Sequence, residues 1–492
     1  MFSRRGFLAA TAAVSLAPRF ALANEPADVI IIGGGLSGLN AALILREQGL
    51  RPIVLEAASQ VGGRVRTHQT AEGPIDVGAS QIGRSYARVL DACWRYKLKL
   101  IPEDRDLLTF GTHYKGAWID NATWESNPLN KCVGEERKIA PMMLGSRLLG
   151  KYNPLKELDD WLNPKFADLD ISLRSLMQRH GHSEQAIELA SLSAPGIGID
   201  ETSILRMWQE ETRGALDRKF GAPPPAGESE RLHPFGEQHH RDLVNGLTST
   251  SNIEGGCHLL PAAMAADLGD VVRLNKHVAA IDLTDKSGTV RCTDGSTYKG
   301  RFIISAVPFT LLRKVKITGA PGGAAAQAIA QMPYANTARV YMHVEPFWLE
   351  DGLPPSFNSD GPLGMFWAID NHKGTGIHRA MIVMVGRRAA EISQRDPAQV
   401  VPFLVDELAR LRPASAGKVK VATYKDWARD PLQLGCGFSL APGQINAFAR
   451  DMNKPWQVMH FAGEHTRRTD FGMESAMESG ERAALEVLTR AG

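Results

Sequence analysis

The residues from Asp28 to Glu56 leave little freedom in how this chain can begin its fold. Val29-Ile30-Ile31-Ile32 is β-branched and apolar throughout, as a strand buried on both faces must be. Gly33, Gly35 and Gly38 follow as G-x-G-x-x-G, and a helix-forming stretch runs from Leu36 to Gln48 and stops at Gly49. Pro52 to Leu55 reads as a second strand, and Glu56 closes it. Each part has a task. Gly33 permits the tight turn, Gly35 lets backbone approach a pyrophosphate, and Gly38 lets helix and strand pack closely. The first helical turn, with Ser37, aims N–H groups and partial positive charge at phosphates. Glu56 stands where a carboxylate accepts hydrogen bonds from both ribose hydroxyls, which disfavours a phosphorylated ribose. Strand, glycines, helix, strand and acid in this order predict a dinucleotide site, without separating FAD from NAD.

The residues after the acid make that separation. Glu56-Ala57-Ala58-Ser59-Gln60-Val61-Gly62-Gly63-Arg64 resembles the E-x(5)-G-G-R pattern of the flavin-containing amine oxidases. The resemblance covers nearly the whole chain after its first residues. It takes in Ile75 to Gly83, Ile253-Glu254-Gly255-Gly256, Ile303 to Pro308, Glu345-Pro346-Phe347-Trp348, Phe461-Ala462-Gly463-Glu464 and the segment from Met473 to Ala484. It implies FAD as the cofactor. Glu56, Ala57, Gly63 and Arg64 would then meet ribose, pyrophosphate and flavin, with Ala79 and Ser80 passing beside the flavin. The Val278 backbone would hold the adenine, and Gly463 and Glu464 a ribityl or ribose hydroxyl. The final helix, from Met473, would hold the pyrimidine edge. An arginine fork at Arg64 suits two phosphates on chemical grounds alone.

The same resemblance marks the reacting end. Trp427 matches a tryptophan packed near the flavin, and Cys436 follows it at the spacing of the flavin-linking cysteine of the monoamine oxidases. A thioether and a small buried cysteine are both open readings at Cys436. Relatives flank the substrate with two aromatic side chains. The matching positions here are Gly437 and Gly472, or, with a one-residue slip, Phe438 and Phe471. With the glycines the site is open and suits a bulkier substrate. Trp208, Phe366 and Trp367 are further candidates for aromatic walls. Arg339 stands where many relatives carry a lysine linked to oxygen reactivity, and arginine stays charged. This predicts slow reaction with O₂ and use of another acceptor, such as a periplasmic carrier. Gln81 stands near the place where L-amino-acid oxidases clamp a carboxylate with arginine, although Arg84 is close; amines therefore rank above amino acids.

The expected fold class is α/β, an FAD-binding Rossmann-like domain of the glutathione-reductase type with an α+β substrate-binding domain. Residues 26–100, 250–314 and 422–492 are assigned to the first, and 101–249 and 315–421 to the second. The 492 residues suffice for such a pair. The stretch from Asp217 to His240, with Pro223-Pro224-Pro225, reads as a long loop. Its His233, His239 and His240 lack further ligands at metal spacing, so no metal is expected. The net charge of +2 gives no reason to expect nucleic acid.

The first 23 residues read as a removable leader. Arg4-Arg5 opens a twin-arginine motif, an apolar run to Leu16 follows, and Ala21-Leu22-Ala23 offers a cleavage site. That route exports folded proteins, so a periplasmic location is expected. No later run is long enough for a membrane anchor. Five cysteines in an odd set do not form a disulfide framework. The oligomeric state is open, with a homodimer as one form.

The leading expectation is FAD-dependent oxidation of a small-molecule amine. Hydride passes to flavin N5 and the imine hydrolyses to a carbonyl product. The alternatives are an L-amino-acid oxidase, a flavin enzyme that desaturates carbons, and a catalytically silent FAD-binding protein.

Overall fold

The computed structural model describes residues 27–83, 85–102, 107, 109–192, 197–220, 250–369 and 376–491. The leader, Arg84, most of the polar loop and its three histidines lie outside the described residues. Of the expected loop, the part from Asp217 to Phe220 is the last turn of the helix Ile204–Phe220. Arg218 and Lys219 are able helix formers, and the first proline comes only at Pro223.

Two large sheets organise the chain. The first has eight strands. In spatial order they are Val272–Arg273, Pro52–Leu55, Ala27–Ile32, Thr297–Ser305, Gly288–Cys292, Val278–Leu283 and Lys316–Thr318, with Met459–Phe461 also paired to Thr297–Ser305. Its centre is parallel: Ile31 lies opposite Val54 on one side and Ile304 on the other. Val29, Ile30 and Ile31 have no exposed surface, as their unbroken apolar run requires. The helix Leu36–Glu47 leaves the first strand and packs along the final helix, Gly472–Ala491.

The second sheet runs Val419–Asp426, Thr337–Val344, His378–Val385, Met365–Ile369, Ser356–Ser359, Phe110–Tyr114 and Ala117–Ile119. Its pairings are antiparallel except that of Ser356–Ser359 with Phe110–Tyr114. The two-residue period of a strand decides what each side does. Ala338, Val340, Met342 and Val344 join a core with Val400, Leu404 and Leu408 of the helix Pro397–Leu411. On the opposite face Tyr341 packs with Ile75, Val77 and Met381, and His343 Nε2 lies 3.2 Å from Thr70 Oγ1. Arg339 shares that second face, which turns toward the first sheet's glycine-rich loops.

Candidate active site

A cavity of 650 Å³ runs from the first sheet to the second and ends on Arg339 and Trp427. Its size is that of a small-molecule or cofactor site. At one end His277, Val278 and Thr293 line it. Glu56 and Ala57 come next, then Gly33, Gly35, Ser37, Gly63 and Arg64. Ala79, Gly463, Glu464 and Met473 complete the cradle.

The local backbone explains the glycines. A Cβ on Gly35 would meet nothing within 4 Å, so the cavity itself fills the space a side chain would take. A Cβ on Gly38 would sit 2.0 Å from the Gly33 carbonyl oxygen. Gly38 thus serves by close packing of helix on turn and does not itself line the cavity. Glu56 Oε2 accepts from the Gly34 amide at 2.7 Å and Oε1 from the Ala58 amide at 2.8 Å. Burial raises its pKa, and the amides of Ala58 and Gly34 pull the other way. The carboxylate is therefore aimed before any ribose arrives.

Glu464 Oε2 is buried on the cavity wall without a hydrogen-bond partner among the described residues, which a cofactor hydroxyl would supply. The open direction over Gly35, the aimed carboxylate of Glu56 and this oxygen, which has only a 3.6 Å ion pair with Arg64, all fit FAD. The final helix begins at Gly472, so its first amides and its positive end face the same cavity.

At the far end, Arg339, Trp427, Cys436, Gly437 and Gly472 line the wall. Arg339 Nη1 lies 3.4 Å from the Tyr341 hydroxyl, and its Nε is buried without a partner. Trp427 is 1 % exposed, with its indole N–H also unpartnered. Cys436 is the one cysteine of the five that is not fully buried, and its carbonyl oxygen accepts from Arg64 Nη1. A Cβ on Gly437 would meet nothing within 4 Å. Gly472 differs. Its φ is +61°, and a Cβ there would lie 2.8 Å from the Tyr86 hydroxyl.

The two glycines, not the neighbouring phenylalanines, therefore face the cavity. Phe438 is 1 % exposed, and the guanidinium groups of Arg206 and Arg467 lie 5.2 and 4.9 Å from its ring centroid. Phe471 packs edge-on against Tyr86 with centroids 5.7 Å apart. Trp208 is likewise core: it is buried and its indole N–H donates to the Leu149 carbonyl at 2.9 Å. Phe366 stacks on Phe357 on the helix-covered side of the second sheet. Trp367 stands on that sheet's other face, beside Phe110, and does not line the cavity. Ser80 and Gln81 lie outside the wall; the Ser80 carbonyl accepts from the Cys257 thiol at 3.2 Å. Ala79 itself lines the wall, with its amide donating to the Arg64 carbonyl at 3.1 Å.

The chain's residues 36–488 match the family model of the flavin containing amine oxidoreductases. The chain belongs to this family. It is an FAD-dependent oxidoreductase that acts on amines, and Arg339, Trp427 and Gly437 line one end of its cavity. Among relatives, a flavin-containing amine oxidase of Danio rerio is 26% identical, over 94% of this chain and 86% of that protein. Human flavin-containing amine oxidase B is 24% identical over the same shares. The fold is similar to that of putrescine oxidase bound to putrescine, with TM-score 0.72, 20% identity, and 95% and 100% of the two chains covered. It is also similar to cyclohexylamine oxidase from Brevibacterium oxydans, with TM-score 0.73, 21% identity and the same coverage.

Several cavity residues of this amine oxidoreductase carry no motif. Lys276, Lys314 and Gln433 reach the wall from separate loops. His465 had a signal, since it directly follows Glu464. Its ring packs 4.3 Å from that of Phe309, and both ring nitrogens are buried and unpartnered. Burial, then Arg64 and Arg482, push its pKa down to about 3, so it faces the cavity as a neutral ring.

Proposed function

We propose that this amine oxidoreductase takes an amine with a bulky substituent beside the reacting carbon and passes its electrons to an acceptor other than O₂. The observation that carries the reading is Gly437, which leaves its side of the cavity open next to Trp427, Cys436 and Arg339. Putrescine oxidase and cyclohexylamine oxidase share the fold, and their names mark extended and cyclic amines as substrates of that fold.

Bound FAD supplies the hydride acceptor. The chain's own residues do the rest. Gly35 and Gly63 let backbone reach the pyrophosphate, and Arg64 adds a fixed cation. The buried Trp427 covers the Arg339 end of the cavity and limits water there. Arg339 places a permanent positive charge at the reacting end, which disfavours an ammonium there and so selects the neutral amine that can lose hydride. A protonated lysine could hand a proton to reduced oxygen; arginine does not, which supports a different acceptor.

We also propose a sulfur link between Cys436 and the flavin, a reading supported by the place of Cys436 on the cavity wall and the hydrogen bond of its carbonyl to Arg64. The leader motif supports export of the folded, loaded enzyme to the periplasm.

Anaerobic mixing with a panel of small, cyclic and extended amines tests the substrate reading. Bulky amines should bleach the flavin fastest; a preference for methylamine or ethylamine would refute it. Reoxidation of the reduced enzyme in air should be slow in stopped flow. Acid precipitation should leave the pellet yellow, and the Cys436→Ala pellet white.

A further inference from the structure

Behind the reacting end lies a row of charged groups that none of the steps above uses. Arg206 and Arg467 are 5 % and 2 % exposed. Both guanidinium groups meet the same Glu210 oxygen, at 3.1 and 3.0 Å. Arg467 continues to Glu464 Oε1 at 3.4 Å, and Glu464 Oε2 lies 3.6 Å from Arg64 Nη1. Arg206 Nη2 also donates to the Phe438 carbonyl at 3.3 Å, next to Gly437. The row thus begins on the helix Ile204–Phe220 and ends on Glu464 and Arg64, two residues of the cavity wall.

The row is not balanced. Three guanidinium groups face two carboxylates, and arginine does not shed its proton to relieve the difference. Among the described residues Arg206 Nε and Nη1 and Arg467 Nε are buried with no partner, so much of the excess is not spent on local hydrogen bonds. For stability alone, an unbalanced buried charge is a poor device, because desolvation outweighs the pairing. Glu464 and Arg64 carry the row to the cavity wall, where Arg64 joins burial and Arg482 in keeping the wall residue His465 neutral.

We propose that the Arg206–Glu210–Arg467 row sets the reduction potential of the bound flavin, acting through Glu464 and Arg64. Its one excess positive charge stabilises the negative charge that the cofactor gains when it takes two electrons from the amine. Arg206 and Glu210 are positioning residues here and touch no reacting atom. The inference rests on the FAD site and is independent of which amine is oxidised.

The test is the midpoint potential of the purified holoenzyme, measured anaerobically against a reference dye. Arg206→Met removes the excess charge and should lower the potential. Glu210→Gln adds to the excess and should raise it. Each shift should reach roughly tenfold in the reduction equilibrium, about 30 mV for a two-electron couple. Arg206→Lys keeps the charge and should stay near the parent value. A merely structural row predicts that Met and Gln variants move the potential the same way, or not at all; either result overturns the proposal. If Arg206→Met does not fold, the Glu210→Gln and Arg206→Lys pair decides. A rise in the first with little change in the second supports the row's role, and an unchanged or lowered potential in Glu210→Gln removes it.

Discussion

Gly480 of the final helix lies so close to Ser37 of the first helix that a Cβ on it would sit 2.2 Å from the Ser37 carbonyl oxygen. The contact presses two helix surfaces together without side chains between them. It also fixes the two helix ends that face the cavity, because Ser37 and Gly472 both line it. Gly480→Ala should therefore cost at least ~2 kcal/mol, the range for inserting atoms into a packed interior. Urea unfolding measures this, and FAD retention on gel filtration should fall with it. An alanine variant as stable as the parent would mean that the helices separate easily.

Gly437 offers the opposite case. Its absent side chain leaves space, and its backbone is not in the left-handed region, so a larger residue can enter without strain. Gly437→Phe should fold normally and narrow the open side of the site. We expect kcat/KM for bulky amines to fall more than about tenfold, which is over 1.4 kcal/mol in the transition state, while small amines lose less. An equal loss for all amines would place the phenyl ring against the cofactor instead of in the substrate's space.

Arg339 should leave a mark on the pH profile. A fixed positive charge lowers the pKa of a bound amine, so the neutral form appears at lower pH than in water. Removing the charge with Arg339→Met raises that pKa. The acidic limb of the kcat profile should then move to higher pH, by on the order of one unit, which corresponds to ~1.4 kcal/mol. Arg339→Lys should move it less. A limb that stays in place in both variants would show that Arg339 does not sense the amine.

What was legible in the sequence follows the reach of each interaction. The cradle could be read because its residues are neighbours in sequence. Val29 to Ile32, Gly33, Gly35, Gly38 and Glu56 form one local unit whose geometry backbone sterics dictate. The choice between Gly437 and Phe438 could not be read, since a one-residue slip in a strand-like segment reverses which side chain faces the cavity. Trp208 looked like a wall for the same reason that it is core: a large aromatic suits either place. Ser80 and Gln81 could not be placed, since which residue beside Ala79 reaches the cavity wall is decided by the fold around it. The Arg206–Glu210–Arg467 row was half visible. Arg206 and Glu210 are one helical turn apart, as paired residues on a helix face are, but Arg467 joins them only through the fold.

Glu210 gives that row a stability signature. Two guanidinium groups hold its carboxylate at 3.1 and 3.0 Å, and its pKa falls from 4.5 to about 2 against the effect of burial. A carboxylate depressed in the folded state contributes stability that is complete above its unfolded pKa and disappears as pH falls through the folded one. The parent should therefore exceed Glu210→Gln in Tm at pH 7. The difference should hold down to about pH 5 and shrink progressively below it, because the neutral acid then resembles the amide. Salt should reduce the difference only in part, since Arg206 and Arg467 are buried and poorly screened. Thermal unfolding of both proteins between pH 7 and pH 3 measures the effect. A Tm gap that does not change with pH would mean that Glu210 contributes through shape and hydrogen bonding, with its charge playing no part in holding the row together.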